Sequence, residues 1–255
     1  MHEKSYNVNV RRICFELYWK VQRIIAPTLK YSQSIYEDIL RHYSLDSGYW
    51  LDLGCGHQLL PPWRLDQERA LVQRAELFVG LDHQYDALKK HDTIRHKIHG
   101  NISQLPFKSK CFDIVTSNMV FEHLREPRAQ LQEVSRVLKP GGLLIFHTPN
   151  VFGYGTLIAR VIPKSIKARL CYMLDGRKEE DVFPTYYKIN STRSIKRVAQ
   201  SLGFETRDIR LIVSSPQLVM IPPLAVLELL FIRILMTKMC RPIRTNIIGV
   251  LRKPN

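Results

Sequence analysis

Tyr49-Trp50-Leu51-Asp52-Leu53-Gly54-Cys55-Gly56 is the stretch on which the fold turns. Its first five residues are apolar but for one acid and read as a short strand buried on both faces. They run directly into a G-x-G turn. Glycine is needed there because the chain must be free to take positive φ and a ligand must be able to approach the backbone. The helix expected next offers unpaired N–H groups at its start.

Working outward, strands and helices alternate. A polar helix is expected over about 64–76. LFVGLD (77–82) is a strand ending on an acid, and a helix follows at about 85–91. KIHGN (97–101) is a brief strand, 105–107 a loop, and CFDIVTSN (111–118) a fourth strand. A helix over 127–138 has proline in its first turn and Leu131, Val134 and Leu138 on one face. Lys139-Pro140-Gly141-Gly142 stops it, and LLIFHT (143–148) is a fifth strand. Such alternation predicts an α/β fold with a doubly wound, mostly parallel sheet. Upstream, a helix over 8–25 sets Val10, Ile13, Cys14, Leu17 and Val21 on one stripe and ends before Pro27. A second, over 31–44, turns Ile35, Ile39 and Leu40 inward. Downstream come a helical insertion (154–174), a helix over 191–202 capped by Ser191, and strands at 204–213 and 245–252. The expected organisation is an N-terminal helical lid (1–44), a core (45–150), and a substrate and cap region (151–255) that completes the sheet and carries a C-terminal helical cap.

The chemistry-bearing residues gather at the carboxyl ends of the strands, where open α/β sheets bind ligands. After Gly54 and Gly56, a nicotinamide-type G-x-G-x-x-G is disfavoured, since Leu59 takes the third glycine's place and Pro61-Pro62 follow. Asp82, beside His83, offers a carboxylate for a ribose diol. Asn101 offers an amide to a base edge and Ile102 an apolar face. Asn118 ends the fourth strand. Each has a plain structural alternative as a turn or cap residue; their order is what points to a site.

LDLGCG (51–56), LFVGLD (77–82), GNISQLPF (100–107), CFDIVTSNMVFEHL (111–124) and LQEVSRVLKPGGLLIFHTPN (131–150) together resemble the class I S-adenosylmethionine (SAM) dependent methyltransferases. The resemblance is nearest to the small-molecule branch that includes ubiquinone and menaquinone biosynthetic enzymes, and it covers about residues 45–150. It implies a Rossmann-like fold and SAM as cofactor. Gly54 and Gly56 would line its methionine part, Asp52 would support the loop, Asp82 would take the ribose hydroxyls, and Asn101 with Ile102 would flank adenine. Two positions depart from the family pattern: Asn101 stands where an acid is usual, and His57-Gln58 where the loop normally has another glycine.

A general base helps when the methyl acceptor must lose a proton. His123 is the candidate, since imidazole titrates near neutrality, with a helix-start role as the alternative. His147, at the end of the fifth strand, is a second candidate, and reads more readily as a structural histidine. Some quinone methyltransferases resembling this branch place acids and this histidine around a divalent metal. Met119 stands here where another acid would be expected, so no metal is expected. Glu122, Tyr186 and Tyr187 are candidate substrate contacts, with packing of the C-terminal lobe the equal alternative for the two tyrosines.

The net charge is +15, and +11 of it lies after residue 150. A basic surface attracts nucleic acid, anionic lipid or an anionic substrate, or serves only to keep the chain soluble. Residues 211–227 carry no charge over 17 positions, short of the ~20 apolar residues a spanning helix needs, and Pro222-Pro223 are expected to break a helix. This leaves a buried helical cap or a peripheral membrane contact over 211–244, with Arg233, Lys238, Arg241 and Arg244 meeting headgroups. Five scattered cysteines without a C-x-x-C pair favour neither zinc nor a disulfide framework. With no apolar leader near the start, the cytoplasm is expected, membrane-associated or not. The expected activity is methylation of an O, N or C atom of a small or lipid-linked acceptor. One alternative is an RNA methyltransferase using the basic C-terminal half, although Asn118-Met119-Val120-Phe121 stands where an Asn-Pro-Pro-Tyr motif would. The other is a non-catalytic SAM-binding protein. The oligomeric state stays open.

Overall fold

A computed structural model of the chain describes residues 2–43, 48–162, 183–214 and 218–255. In chain order the regular elements are α1 (His2–Ile25), α2 (Ser32–Tyr43), β1 (Tyr49–Leu53), α3 (Leu65–Arg74), β2 (Leu77–Asp82), α4 (Tyr85–Lys89), β3 (His96–His99), β4 (Phe112–Asn118), α5 (Pro127–Val137), β5 (Leu138–Pro149), α6 (Tyr154–Val161), α7 (Thr192–Ser201), β6 (Glu205–Ile212), α8 (Pro222–Leu235) and β7 (Asn246–Arg252). The seven strands form one sheet in the order β3-β2-β1-β4-β5-β7-β6. The pairs β1–β2, β1–β4, β2–β3 and β4–β5 are all parallel. The chain winds outward from β1 to β3 and then returns to β4. The strand order therefore reverses beside β1, which opens a crevice at the carboxyl ends of β1 and β4.

The chain divides into two compact units. One comprises Gln33–Val151, Pro184–Arg210 and Ile247–Asn255 and carries most of the sheet. Its core is Leu51, Val115, Val134, Leu144, Ile145 and Phe146, all fully buried, with Phe121 stacked on Phe146 at 4.3 Å between ring centroids. Ser191 caps α7 through a reciprocal box with Ser194, the arrangement that satisfies two orphan donors at a helix start.

The other unit comprises Met1–Ser32, Phe152–Phe183 and Leu211–Asn246. Its apolar cluster joins Tyr18, Leu29, Val219, Leu229 and Ile232. Here the sequence expectations need three corrections. The inward side of α1 is Cys14, Tyr18 and Gln22, while Val10, Ile13 and Leu17 are exposed. Tyr18 supplies the bulk, and Gln22 donates to the Leu29 carbonyl at 3.0 Å, so the helix is rotated toward a polar side chain that closes the following turn. Pro222-Pro223 begin α8 rather than breaking a helix, because the first turn needs no N–H. Arg244 donates to the carbonyls of Leu235, Met236 and Leu211, so it caps α8 instead of reaching outward.

A fourth correction concerns β5. Lys139-Pro140-Gly141-Gly142 lie inside it. Its register against β4 jumps from Phe112↔Leu138 to Ile114↔Leu143, and Lys139 pairs with Asp113 at 2.7 Å. The turn residues are absorbed as an irregularity. Of the expected 154–174 helix, α6 accounts for the first part, and 163–174 lie outside the described residues. Among the described residues no helix is long and apolar enough to cross a membrane.

Candidate active site

The turn after β1 takes the conformation its glycines permit: Gly54 has φ +70° and Gly56 φ +54°. A side chain at Gly54 would meet Val120 Cγ2 at 2.4 Å, whereas one at Gly56 would meet nothing within 4 Å. The first glycine is thus required by packing and the second faces open space. The N–H groups of Gly54 and Cys55 both donate to the Leu81 carbonyl, at 2.8 and 3.2 Å.

Asp82 closes the elbow from the neighbouring strand. Its Oδ2 accepts Gly56 N–H at 2.8 Å and its Oδ1 accepts Gln84 N–H at 2.7 Å, leaving each oxygen a further lone pair. His83 is exposed beside it, with Nδ1 3.4 Å from Asp82 Oδ1. Beyond the elbow, buried Glu68 accepts the N–H groups of Leu59 and Leu60 at 3.0 and 2.9 Å, and the Thr93 hydroxyl as well. A first-turn acid of α3 therefore holds the loop where a further glycine is missing, the end of a helix at which a negative charge is favoured.

Asp52 sits near the end of β1, 5% exposed. It accepts the Thr116 hydroxyl at 2.5 Å, and that hydroxyl in turn accepts the Trp50 indole N–H at 2.8 Å. Burial pushes the Asp52 carboxyl up to about 7; the Thr116 hydrogen bond opposes this, and the charges of Asp82 and Glu68 add to it. Three carboxyl groups around one glycine elbow form a field that favours a cationic ligand and opposes a pyrophosphate. Burial likewise pushes the Cys55 thiol up, which keeps it protonated and unreactive.

At the end of β4, Asn118 exchanges hydrogen bonds with Gln33 (2.9 and 3.4 Å) and pairs with His147 Nδ1 at 2.9 Å. Burial lowers His147 to about 3, so it is a neutral structural group. Tyr36 stacks on it at 5.6 Å and lines the crevice with Asp52, Gly54, Gln58 and Asn118.

His123 ends the short turn Phe121–His123. Its Nδ1 lies 2.8 Å from the Pro184 carbonyl, so Nδ1 carries the proton in the neutral ring, and Nε2 lies 4.0 Å from Glu122 Oε1. Burial, chiefly, holds its pKa below the usual histidine range. Glu122 turns inward: Oε2 accepts the Thr148 hydroxyl at 3.0 Å, and its carbonyl accepts Tyr186 and Tyr187 N–H at 2.7 and 3.2 Å. Tyr186 and Tyr187 are thereby brought to His123 through the backbone, and Tyr187 takes φ 51°, a strained value for a bulky residue. Asn101 is exposed at the end of β3; its Oδ1 accepts Ser103 N–H at 2.9 Å, and Ile102 beside it is half-buried. Among the described residues no three His, Cys, Asp or Glu side chains converge as a metal site.

The structure thus gathers Asp52, Gly54, Gly56, Asp82, His83 and Asn118 at one sheet edge, with Asn101 and Ile102 beyond β3. Gln33, Tyr36, Glu68 and Thr116 join them without having been singled out in the sequence. The only available signal was Glu68, an acid opening the helix after a glycine loop.

A doubly wound sheet, a glycine elbow after β1 and an acid ending β2 define the Rossmann-like SAM-methyltransferase class of fold. Residues 51–146 match the family model described as a methyltransferase domain. That segment belongs to the class I SAM-dependent methyltransferase family, whose cofactor is SAM. The chain is 37% identical over 138 residues to an uncharacterised methyltransferase of Schizosaccharomyces pombe, covering 50% of this chain and 47% of that one. It is 30% identical over 133 residues to a demethylmenaquinone methyltransferase of Geobacillus kaustophilus, covering 48% and 55%. The matches thus span about half the length of these curated relatives. A solved SAM-dependent methyltransferase of Thermotoga maritima shares the fold, with TM-score 0.56 at 12% identity over 95% of this chain and 97% of that one.

Proposed function

We propose that the chain transfers a methyl group from SAM to an O, N or C nucleophile of a small or lipid-linked acceptor. The observation that carries this reading is the acidic glycine elbow, Gly54 and Gly56 beside Asp52 and Asp82, with buried Glu68 holding the loop just beyond. When bound, SAM supplies an activated methyl on a cationic sulfur. The protein's part is alignment, charge and proton handling. Asp82 keeps lone pairs that would accept ribose hydroxyls, Gly56 leaves its face open, and Asn101 and Ile102 would flank the adenine. Asp52, poised near neutrality, ionises beside a cation. His123 Nε2 takes the proton when the nucleophile must lose one, with Tyr186 and Tyr187 near the acceptor.

We also propose a cytoplasmic location, supported by Cys14, Cys55, Cys111 and Cys240, all free thiols. Incubating the protein with methyl-labelled SAM and fractionated cell extract, followed by mass spectrometry, tests the activity. Label in a small molecule or lipid supports it. Label confined to RNA, or none in any fraction with active cofactor binding, overturns the acceptor class.

A further inference from the structure

α8 is apolar on both sides. Ala225, Leu229, Ile232 and Leu235 are buried in the helical unit's own cluster, while Leu224, Leu227, Leu230, Phe231 and Ile234 are exposed, Leu227 at 62%. A helix apolar all round belongs in a core or against lipid, and a run of large exposed side chains marks an interaction surface. The chain continues from this face into Met239, 91% exposed, flanked by Lys238 and Arg241. Neither cation forms an ion pair among the described residues. The same unit also exposes Ile24 and Val161, at 78% and 83%.

The unit's charge identifies what fits this face. Its acids with described side chains are Glu16, paired with Arg12 at 2.8 Å, and Glu228, buried and accepting Tyr154 O–H and Leu218 N–H. Apolar side chains bordered by cations that pair with no described acid fit an element lying in the headgroup region of an anionic bilayer. A second copy on this face would bring like charges together, and an acidic peptide would leave the large aliphatic side chains unburied. We infer that the outward face of α8 with the following 236–243 segment docks on an anionic membrane surface, Leu227, Phe231 and Ile234 entering the interface and Lys238 and Arg241 meeting lipid phosphates. This inference is independent of methyl transfer.

Vesicle flotation of the full chain tests it, with phosphatidylcholine alone and with a 7:3 mixture of phosphatidylcholine and phosphatidylglycerol (roughly the anionic content under which such electrostatic binding operates). The protein is expected to float with the anionic vesicles and not with the neutral ones. L227E/I234E should lower partition at least about tenfold with an unchanged melting temperature. K238Q/R241Q should lower it about fivefold per charge removed, an effect that shrinks at high salt. Four results overturn the inference: no flotation of the wild type; equal flotation of either variant; a wild-type dimer that L227E/I234E dissociates; or a sharply lowered melting temperature in L227E/I234E, meaning that another stretch of the same chain covers the face.

Discussion

Replacing Asp52 by Asn should stabilise the protein at alkaline pH while loosening its hold on SAM. The carboxyl is raised from 3.8 to about 7, first by burial. A carboxyl raised in the folded state makes the unfolded state the more ionised one, so stability falls as pH climbs from about 4 to about 7 and is level above that. At ~1.4 kcal/mol per tenfold change, the fully developed cost is about 4 kcal/mol, of which about 1 kcal/mol is present at pH 4.5. Asn keeps an acceptor for the Thr116 hydroxyl and carries no charge to bury. The stability gap between variant and wild type should therefore widen by about 3 kcal/mol between pH 4.5 and pH 8, or about 6–12 °C in melting temperature for a chain of this size. A bound cation acts in the opposite direction: wild-type affinity for SAM should rise as pH passes through 7, and D52N should lose that rise along with about 10- to 100-fold in affinity at pH 8. Thermal melts and calorimetric titrations across pH supply both readouts. A stability gap of the same size at pH 4.5 and pH 8 would refute the argument that Asp52 is held uncomfortably in a low-dielectric, acidic crevice.

Asp82→Ala should weaken SAM binding by about 1.5–3 kcal/mol, measured by calorimetry; unchanged affinity removes Asp82 from the site. His123→Ala should lower kcat by about 10²- to 10⁴-fold with an unchanged SAM Kd, and because burial holds this imidazole below the usual histidine range, the rise of wild-type kcat/KM for the acceptor at saturating SAM should have its midpoint below pH 6.5. A variant as active as wild type at every pH would discard His123 as the base. Glu68→Gln should cost about 1–3 kcal/mol of stability by weakening its acceptance of two loop N–H groups and a hydroxyl, with faster amide exchange at Leu59 and Leu60; unaltered exchange there would show that the loop does not depend on Glu68.

The parallel core was legible because its punctuation is local. Tyr49–Leu53 and Leu77–Asp82 are apolar runs ended by a glycine and by an acid, and both strands have those bounds. Lys139–Gly142 misled because turn-forming residues can be taken up within a strand when its partner shifts register, as Phe112 and Ile114 do against β5. In α1, five apolar residues shared a stripe, of which Cys14 is buried and Val21 packs on the cluster, yet Val10, Ile13 and Leu17 are exposed and the remaining burial went to Tyr18 and Gln22, whose size and hydrogen bond leave no trace in periodicity. The crevice was half visible. Gly54, Gly56 and Asp82 sit at strand ends that pattern alone locates. Gln33 reaches Asn118 across 85 residues, and Thr116 reaches Asp52 across 64; partnerships of that range are created by the winding of the sheet.

The central claim is that the acidic glycine elbow holds an adenosyl sulfonium. Equilibrium binding of SAM and of NAD to the same preparation at pH 8 tests it most directly. The account predicts saturable one-to-one binding of SAM, abolished or strongly weakened in D82A, and no binding of NAD. Binding of NAD, or failure of the folded protein to take up SAM, would contradict it.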